Sequence, residues 1–162
     1  MSTSSKHHTE FPSGMQNNPA PEHDATAMNF EPDSYFGLDI PFMRYIGLRA
    51  EALDADFART HLPFSDKLVN SRGDVHGGTL MSVLDFTLSA AARAHDPLGL
   101  GIATIEMSTH FLDIAKTDLT FEARVLRRGR SIAFCEGTAY DTNNVAVCTA
   151  RATFRLIQLN RD

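Results

Sequence analysis

The chain has 162 residues, 43% hydrophobic and 22% charged, which is the make-up of an ordinary single-domain globular protein. No run of 18 apolar residues occurs, which excludes a membrane-spanning helix, and the first residues lack the basic-then-apolar pattern of a secretory leader. A formal net charge of −5 argues against broad nucleic-acid binding. Cys135 and Cys148 are too few for a disulfide framework and are expected as inert, reduced core residues of a cytoplasmic protein.

The charge is unevenly placed. Residues 1–35 set Lys6 against Glu10, Glu22, Asp24, Glu31 and Asp33, a net −4. Four of the seven prolines also fall here, among Ser, Thr, Asn and His, so 1–35 is expected to be a disordered acidic tail and 36–162 the folded domain. Residues 116–162 carry eight Lys/Arg against five acids, a local excess of +3 that suits a solvated surface or a phosphate-bearing small molecule.

From Tyr35 onward the pattern becomes structural. Residues 41–47 begin with proline and end with glycine, predicting a short helix. Residues 48–54 and 57–64 alternate as two strands about a tight turn at Asp54–Asp56. A polar, glycine-rich crossing, N-S-R-G-D-V-H-G-G, leads into 79–94, the one long helical pattern, which must stop near Pro97. Beyond it four strands are predicted, at 102–112, 118–128, 131–141 and 145–157, with Ile105, Met107 and Phe111 sharing one face of the first. The implied fold class is α+β, one long central helix wrapped by a curved, mainly antiparallel sheet of about six strands. The helix is apolar or small almost all round, so it needs cover on its far side too, for which a partner subunit is the expected source.

Two features carry chemistry. Asp85 is the one carboxylate between Asp74 and Arg93, in the middle of this apolar helix. It is either a solvent-facing or structurally paired residue, or a general base or nucleophile held in a cleft. His76-Gly77-Gly78 stands where the helix begins. The first helical amides lack intrahelical acceptors, and glycine lets a ligand approach them, so this turn can polarise a carbonyl. The plainer alternative is a loop glycine before a helix capped by Asp74. Gly77 and Asp85 are eight residues apart, roughly 12 Å along a helix. An aspartate cannot span that distance to share a carbonyl, so if both act together they come from two copies of the chain in a two-fold dimer.

The string N-S-R-G-D-V-H-G-G-T-L-M-S-V-L-D-F (Asn70 to Phe86), followed by A-T-I-E-M-S-T-H-F-L, resembles the hotdog-fold acyl-CoA thioesterases, most nearly the PaaI and 4-hydroxybenzoyl-CoA thioesterase type, over about residues 45–157. The resemblance implies that Gly77 donates its N–H to the thioester carbonyl. It makes Asp85, from the other subunit, the group that activates water or attacks. Asn70 positions the carbonyl or water, His76 supports the loop, and Thr104 offers a hydroxyl beside the acid. Arg128, Gly129, Arg130 and Ser131 match the turn that meets the phosphates of coenzyme A in relatives, with a plain solvated hairpin as the alternative. The implied partners are an acyl-CoA substrate and further copies of the chain, as a homodimer or homotetramer, with no cofactor, metal, nucleic acid or membrane. A non-catalytic acyl-CoA binding or regulatory protein of the same fold is the alternative. No G-x-S-x-G elbow, P-loop lysine, H-E-x-x-H or paired Cys-x-x-Cys is present to support other chemistry. The acyl group itself is left open; Met81, Phe86, Leu88 and Phe111 are candidate pocket residues and equally ordinary core.

Overall fold

The computed structural model describes Phe30 and residues 34–159. Most of the expected acidic tail, including His7 and His8, lies outside the described residues. The boundary expected at 35/36 falls inside a packed segment: Tyr35 and Phe36 are both buried, and Phe30 meets Phe36 edge to face at 6.0 Å.

Helix α1 (Pro41–Ile46) starts on its proline and ends at Gly47, whose φ of 78° is the left-handed geometry of a helix C-cap, its N–H returning to Arg44 O at 3.1 Å. Strands β1 (Arg49–Asp54) and β2 (Phe57–Leu62) form a hairpin turned at Asp56. The long helix α2 (Gly77–Arg93) follows, then β3 (Leu100–Phe111), β4 (Leu119–Arg128), β5 (Ile132–Tyr140) and β6 (Ala146–Gln158). The six strands make one sheet in the order β1-β2-β4-β5-β6-β3, every neighbouring pair antiparallel. The sheet curves round α2, bent by bulges in β1, β3 and β4.

The core lies between α2 and the concave sheet face. Leu80, Val83, Leu84, Thr87, Leu88 and Ala91 are fully or almost fully buried against Leu62, Phe121, Ala133, Cys135, Ala139 and Phe154. Gly137 lets the helix come this close, because a Cβ there would sit 3.1 Å from the Leu88 side chain and 3.0 Å from Glu122 O. Within this apolar layer Thr60 and Thr87, both fully buried, share a hydrogen bond of 2.8 Å, and Thr87 also donates to Val83 O. Burial pushes the thiols of Cys135 and Cys148 up to about 12 and 11, as expected of unreactive core cysteines.

The far side of α2 departs from expectation. Its Phe86 flank is covered by the protein's own segment 35–46 rather than left entirely for a partner. Phe36 stacks on Phe86 at 6.1 Å and Tyr35 meets the same ring edge-on at 5.8 Å. Arg93, 3% exposed, fastens this strap by donating to the carbonyls of Tyr35, Phe36 and Pro97. Burial lowers the Arg93 pKa to about 10. Only a narrow ridge of α2, containing Met81, Ser82, Asp85 and Ser89, stays partly open.

The face assignment in β3 is also corrected. Ile105 does not share a face with Met107 and Phe111. Thr104 pairs with Phe154 and Glu106 with Thr153, so Ile105 is an extra residue in a bulge, 57% exposed. The insertion resets the alternation. Thr104 before it, and Met107, Thr109 and Phe111 after it, therefore all point to the helix side, opposite the buried Phe154, Ala152, Ala150 and Cys148.

Candidate active site

The loop before α2 is a tied structure. The Asn70 side-chain oxygen accepts from the N–H of Arg72 (2.8 Å) and of Asp74 (3.3 Å), while its own N–H donates to Asp74 O. Asn70 thus braces the loop through Oδ1 and keeps only its Nδ2 amide for a ligand. Val75 N donates to Ala115 O and His76 N to Leu68 O, both at 2.8 Å, which ties the loop to the β3–β4 connection on one side and to the turn at Leu68 on the other. Asp74 is not the helix cap. Its carboxylate is buried, with the Arg72 guanidinium at 3.2 Å and the Lys116 ammonium at 3.3 Å, joining this loop to the β3–β4 connection. Burial pushes the Asp74 pKa up, but hydrogen bonds and charge from Arg72 and Lys116 prevail and hold it below the usual carboxylate value.

The cap is His76. Its Nδ1 accepts from Gly78 N–H at 2.9 Å, so the neutral ring carries its proton on Nε2. Thr79 and Leu80 donate to His76 O. The helix therefore starts at Gly77, two residues before the pattern suggested, because the cap is a histidine rather than the aspartate that usually signals one. Its consequence is chemical: the amides of Gly78, Thr79 and Leu80 are all engaged, and the Gly77 N–H is the first-turn donor left over.

Asp85 stands two turns further along the ridge, half-buried, with Thr104 Oγ1 donating to its Oδ1 at 2.9 Å. Among the described residues no cation pairs with it. Phe111, at the other end of β3, lies against Gly77: a Cβ on that glycine would be 3.2 Å from Phe111 Cε1. Between them, the Thr109 hydroxyl is buried with no partner among the described residues. The structure therefore joins Thr104 to Asp85 and Phe111 to Gly77, but keeps the two pairs apart on one protomer.

The β4–β5 turn is at the opposite end of the helix from Gly77. Arg128 reaches over the last turn of α2, donating to Ala92 O and, at 3.5 Å, to Ala91 O, and it also pairs with Asp56. Its guanidinium caps the helix and is engaged there. Arg130 and Ser131 are exposed, and the turn is closed by Gly129 N–H to Ile132 O at 2.7 Å. Neither the Arg128 cap nor the Lys116 half of the Asp74 clamp is visible in the sequence, since the groups they meet are far away along the chain.

A curved antiparallel sheet wrapped around one long helix is the hotdog fold, here with an uncommitted amide at the helix start and a carboxylate on its open ridge. Residues 72–148 match the family model described as the thioesterase superfamily. A Saccharolobus solfataricus protein named "Putative esterase" is 32% identical over 111 residues, covering 68% of this chain and 73% of the relative. A thioesterase family protein from Silicibacter pomeroyi superposes with a TM-score of 0.70 at 26% identity, over 74% of this chain and 91% of that one. The PaaI protein of the Escherichia coli phenylacetic acid degradation operon shares the fold, with a TM-score of 0.66 at 21% identity, over 74% and 86%. The chain belongs to the thioesterase superfamily. Among the described residues no helix is long and apolar enough to cross a membrane.

Proposed function

We propose that the protein is an acyl-CoA thioesterase whose two active sites lie across a two-fold dimer. The observation that carries this reading is the edge strand β3. It is 12 residues long, pairs with β6 alone among the described residues, and presents Ile105 and Phe111 more than half exposed. Such an edge invites pairing with another strand. Antiparallel pairing of β3 with its copy, about an axis at Ser108 and with Ile105 passed over as the bulge residue, sets Phe111 of one strand opposite the partner subunit's Thr104. Since Phe111 marks Gly77 and Thr104 marks Asp85, the same register brings each Gly77 amide towards the partner subunit's Asp85. That supplies the reach that roughly 12 Å along a single helix denies.

In this arrangement the thioester carbonyl oxygen accepts from Gly77 N–H at the positive end of α2. The opposing Asp85 has its Oδ1 held by Thr104 of its own subunit, which turns Oδ2 towards the reacting carbon. As a general base, Asp85 takes a proton from water as the water oxygen bonds to that carbon. The tetrahedral intermediate then collapses with cleavage of the C–S bond, and the proton passes to the departing thiolate to give a carboxylic acid and free coenzyme A. As a nucleophile, Asp85 would instead form an anhydride that water opens in a second step. Asn70 Nδ2 remains to orient the carbonyl or the water, and His76 acts through the loop.

The basic character around the site supports a phosphate-bearing substrate. Arg130 and Ser131 project freely from the β4–β5 turn, and a two-fold partner carries its copy of that turn to the Gly77 end of this protomer. Arg128 is assigned to the helix end instead. Exposed Ile132, Phe134 and Ile157 offer a surface on which two dimers can join as a tetramer.

The test is release of free thiol from a panel of acyl- and aroyl-CoA thioesters, run on wild type and on Asp85→Asn and Asp85→Ala. Loss of a positioned general base lowers turnover by about 10²–10⁴-fold, while sedimentation still shows the dimer. Turnover unchanged in Asp85→Asn ends the assignment of Asp85. A wild type that binds acyl-CoA but releases no thiol would favour the non-catalytic binding protein.

A further inference from the structure

We infer that Phe111 is the specificity-determining wall of the carbonyl site, limiting what the acyl atom next to the thioester carbonyl can carry; this rests on the thioesterase reading above. The bulge at Ile105 decides which face of β3 carries Phe111. Thr104 and Phe111 are seven residues apart, and in a regular strand an odd separation puts side chains on opposite faces. The single inserted residue cancels that parity and turns the Phe111 ring in, towards the helix. There it meets Gly77, at 3.2 and 3.3 Å from where a Cβ would stand, yet it remains 54% exposed. A large apolar ring left half in solvent, pressed against the one uncommitted amide of the helix start, faces whatever that amide binds.

The chemistry follows from the size of a thioester. A carbonyl oxygen held about 2.9 Å from the Gly77 nitrogen places its carbon and both substituents within a few ångströms of the ring. The sulfur leads away to the polar, solvated coenzyme arm, while the acyl group belongs on the apolar side. Met107 on the same face of β3, partly buried, and Met81 on the helix ridge, 39% exposed, continue that side. Methionines adapt to a ligand's shape, whereas a phenyl ring fixed at the strand end does not. The position adjoining the carbonyl is therefore the tightly gauged one, and the remainder of the acyl chain is read loosely. The ring also shields the Gly77 amide from water on one side, which strengthens its hydrogen bond to the carbonyl.

The test compares kcat/KM for the best thioester in the panel and for its analogue with one methyl added beside the carbonyl, 2-methyl for an alkanoyl and ortho-methyl for an aroyl group. Both are measured by thiol release on the same enzyme preparation, so the ratio does not depend on how much of it is folded. Wild type is expected to disfavour the methyl analogue at least tenfold. Phe111→Ala should shrink that discrimination at least fivefold, and Phe111→Leu should fall between. A wild type indifferent to the methyl group, or both variants keeping the wild-type ratio within twofold, overturns the proposal. If Phe111→Ala is inactive, the Phe111→Leu ratio decides. Absence of any thiol release by wild type refutes the hydrolase reading itself, a different outcome from an active enzyme whose ratio does not move.

Discussion

Arg128 separates two accounts of the same residue, phosphate ligand or helix cap, and its removal distinguishes them by magnitude. In Arg128→Ala the carbonyls of Ala91 and Ala92 at the end of a 17-residue helix lose a guanidinium that is only 20% exposed. A cation at a partly buried helix C-terminus contributes up to about 2 kcal/mol, and a hydrogen bond from a charged donor about 1.5–3 kcal/mol. These are two descriptions of overlapping interactions and do not add. The Asp56 pair adds about 0–1 kcal/mol, because its carboxylate is half exposed. The expected loss is about 2–3 kcal/mol, which for a domain of this size lowers Tm by roughly 6–12 °C. KM for an acyl-CoA substrate should stay within about twofold of wild type. Arg130→Ala should do the opposite, raising KM several-fold while stability stays within about 0.5 kcal/mol. Arg128→Lys should recover part of the stability, since a single ammonium cannot serve the carbonyls and Asp56 with a fork. Thermal unfolding at fixed protein concentration and steady-state kinetics on the same samples supply both numbers. If Arg128→Ala is as stable as wild type while KM rises tenfold, the guanidinium leaves the helix for the substrate and the reasoning fails.

The buried threonine pair predicts an asymmetry. Thr87 spends its proton on Val83 O, so Thr60 must be the donor to Thr87. Thr87→Val therefore orphans a fully buried hydroxyl and costs about 1–3 kcal/mol, while Thr60→Val leaves Thr87 satisfied and costs less. In urea unfolding the double variant should be more stable than Thr87→Val alone; a double variant as unstable as the sum of the singles would contradict the donor assignment. The Asp74 clamp predicts a pH dependence. Its folded pKa lies below the usual carboxylate value, so the stabilisation is present above about pH 4, the unfolded value, and disappears as pH falls through the folded one. The stability difference between wild type and Asp74→Asn should be level from pH 5 to 7 and shrink below about pH 4; a difference that shrinks between pH 5 and 6 would place the folded pKa on the wrong side.

Much of this architecture was legible from local pattern. Period-two and helical spacing placed all six strands and both helices within a few residues, and Pro41, Gly47 and Pro97 marked ends because their backbone geometry is intrinsic to them. Asp85 stood out because a carboxylate in an apolar helix is costly wherever the chain folds. The helix rise, roughly 12 Å between Gly77 and Asp85, followed from residue count alone. What stayed hidden depends on partners far apart in sequence. A bulge such as that at Ile105 costs one residue of register against β6, and nothing in the alternation of β3 announces it; only the pairing decides that Thr104 and Phe111 face the same helix. Arg128 looked available for phosphate because the carbonyls it caps lie 36 and 37 residues earlier in the chain. His76 as cap, Asp74 as clamp and the aromatic strap over Phe86 are likewise choices among competing contacts, settled when helix, loop and sheet close on one another. The sequence by itself determined which residues could do chemistry and how far apart they stand on the helix; the tertiary structure decided which were already engaged elsewhere, since a side chain has only so many hydrogen bonds to give.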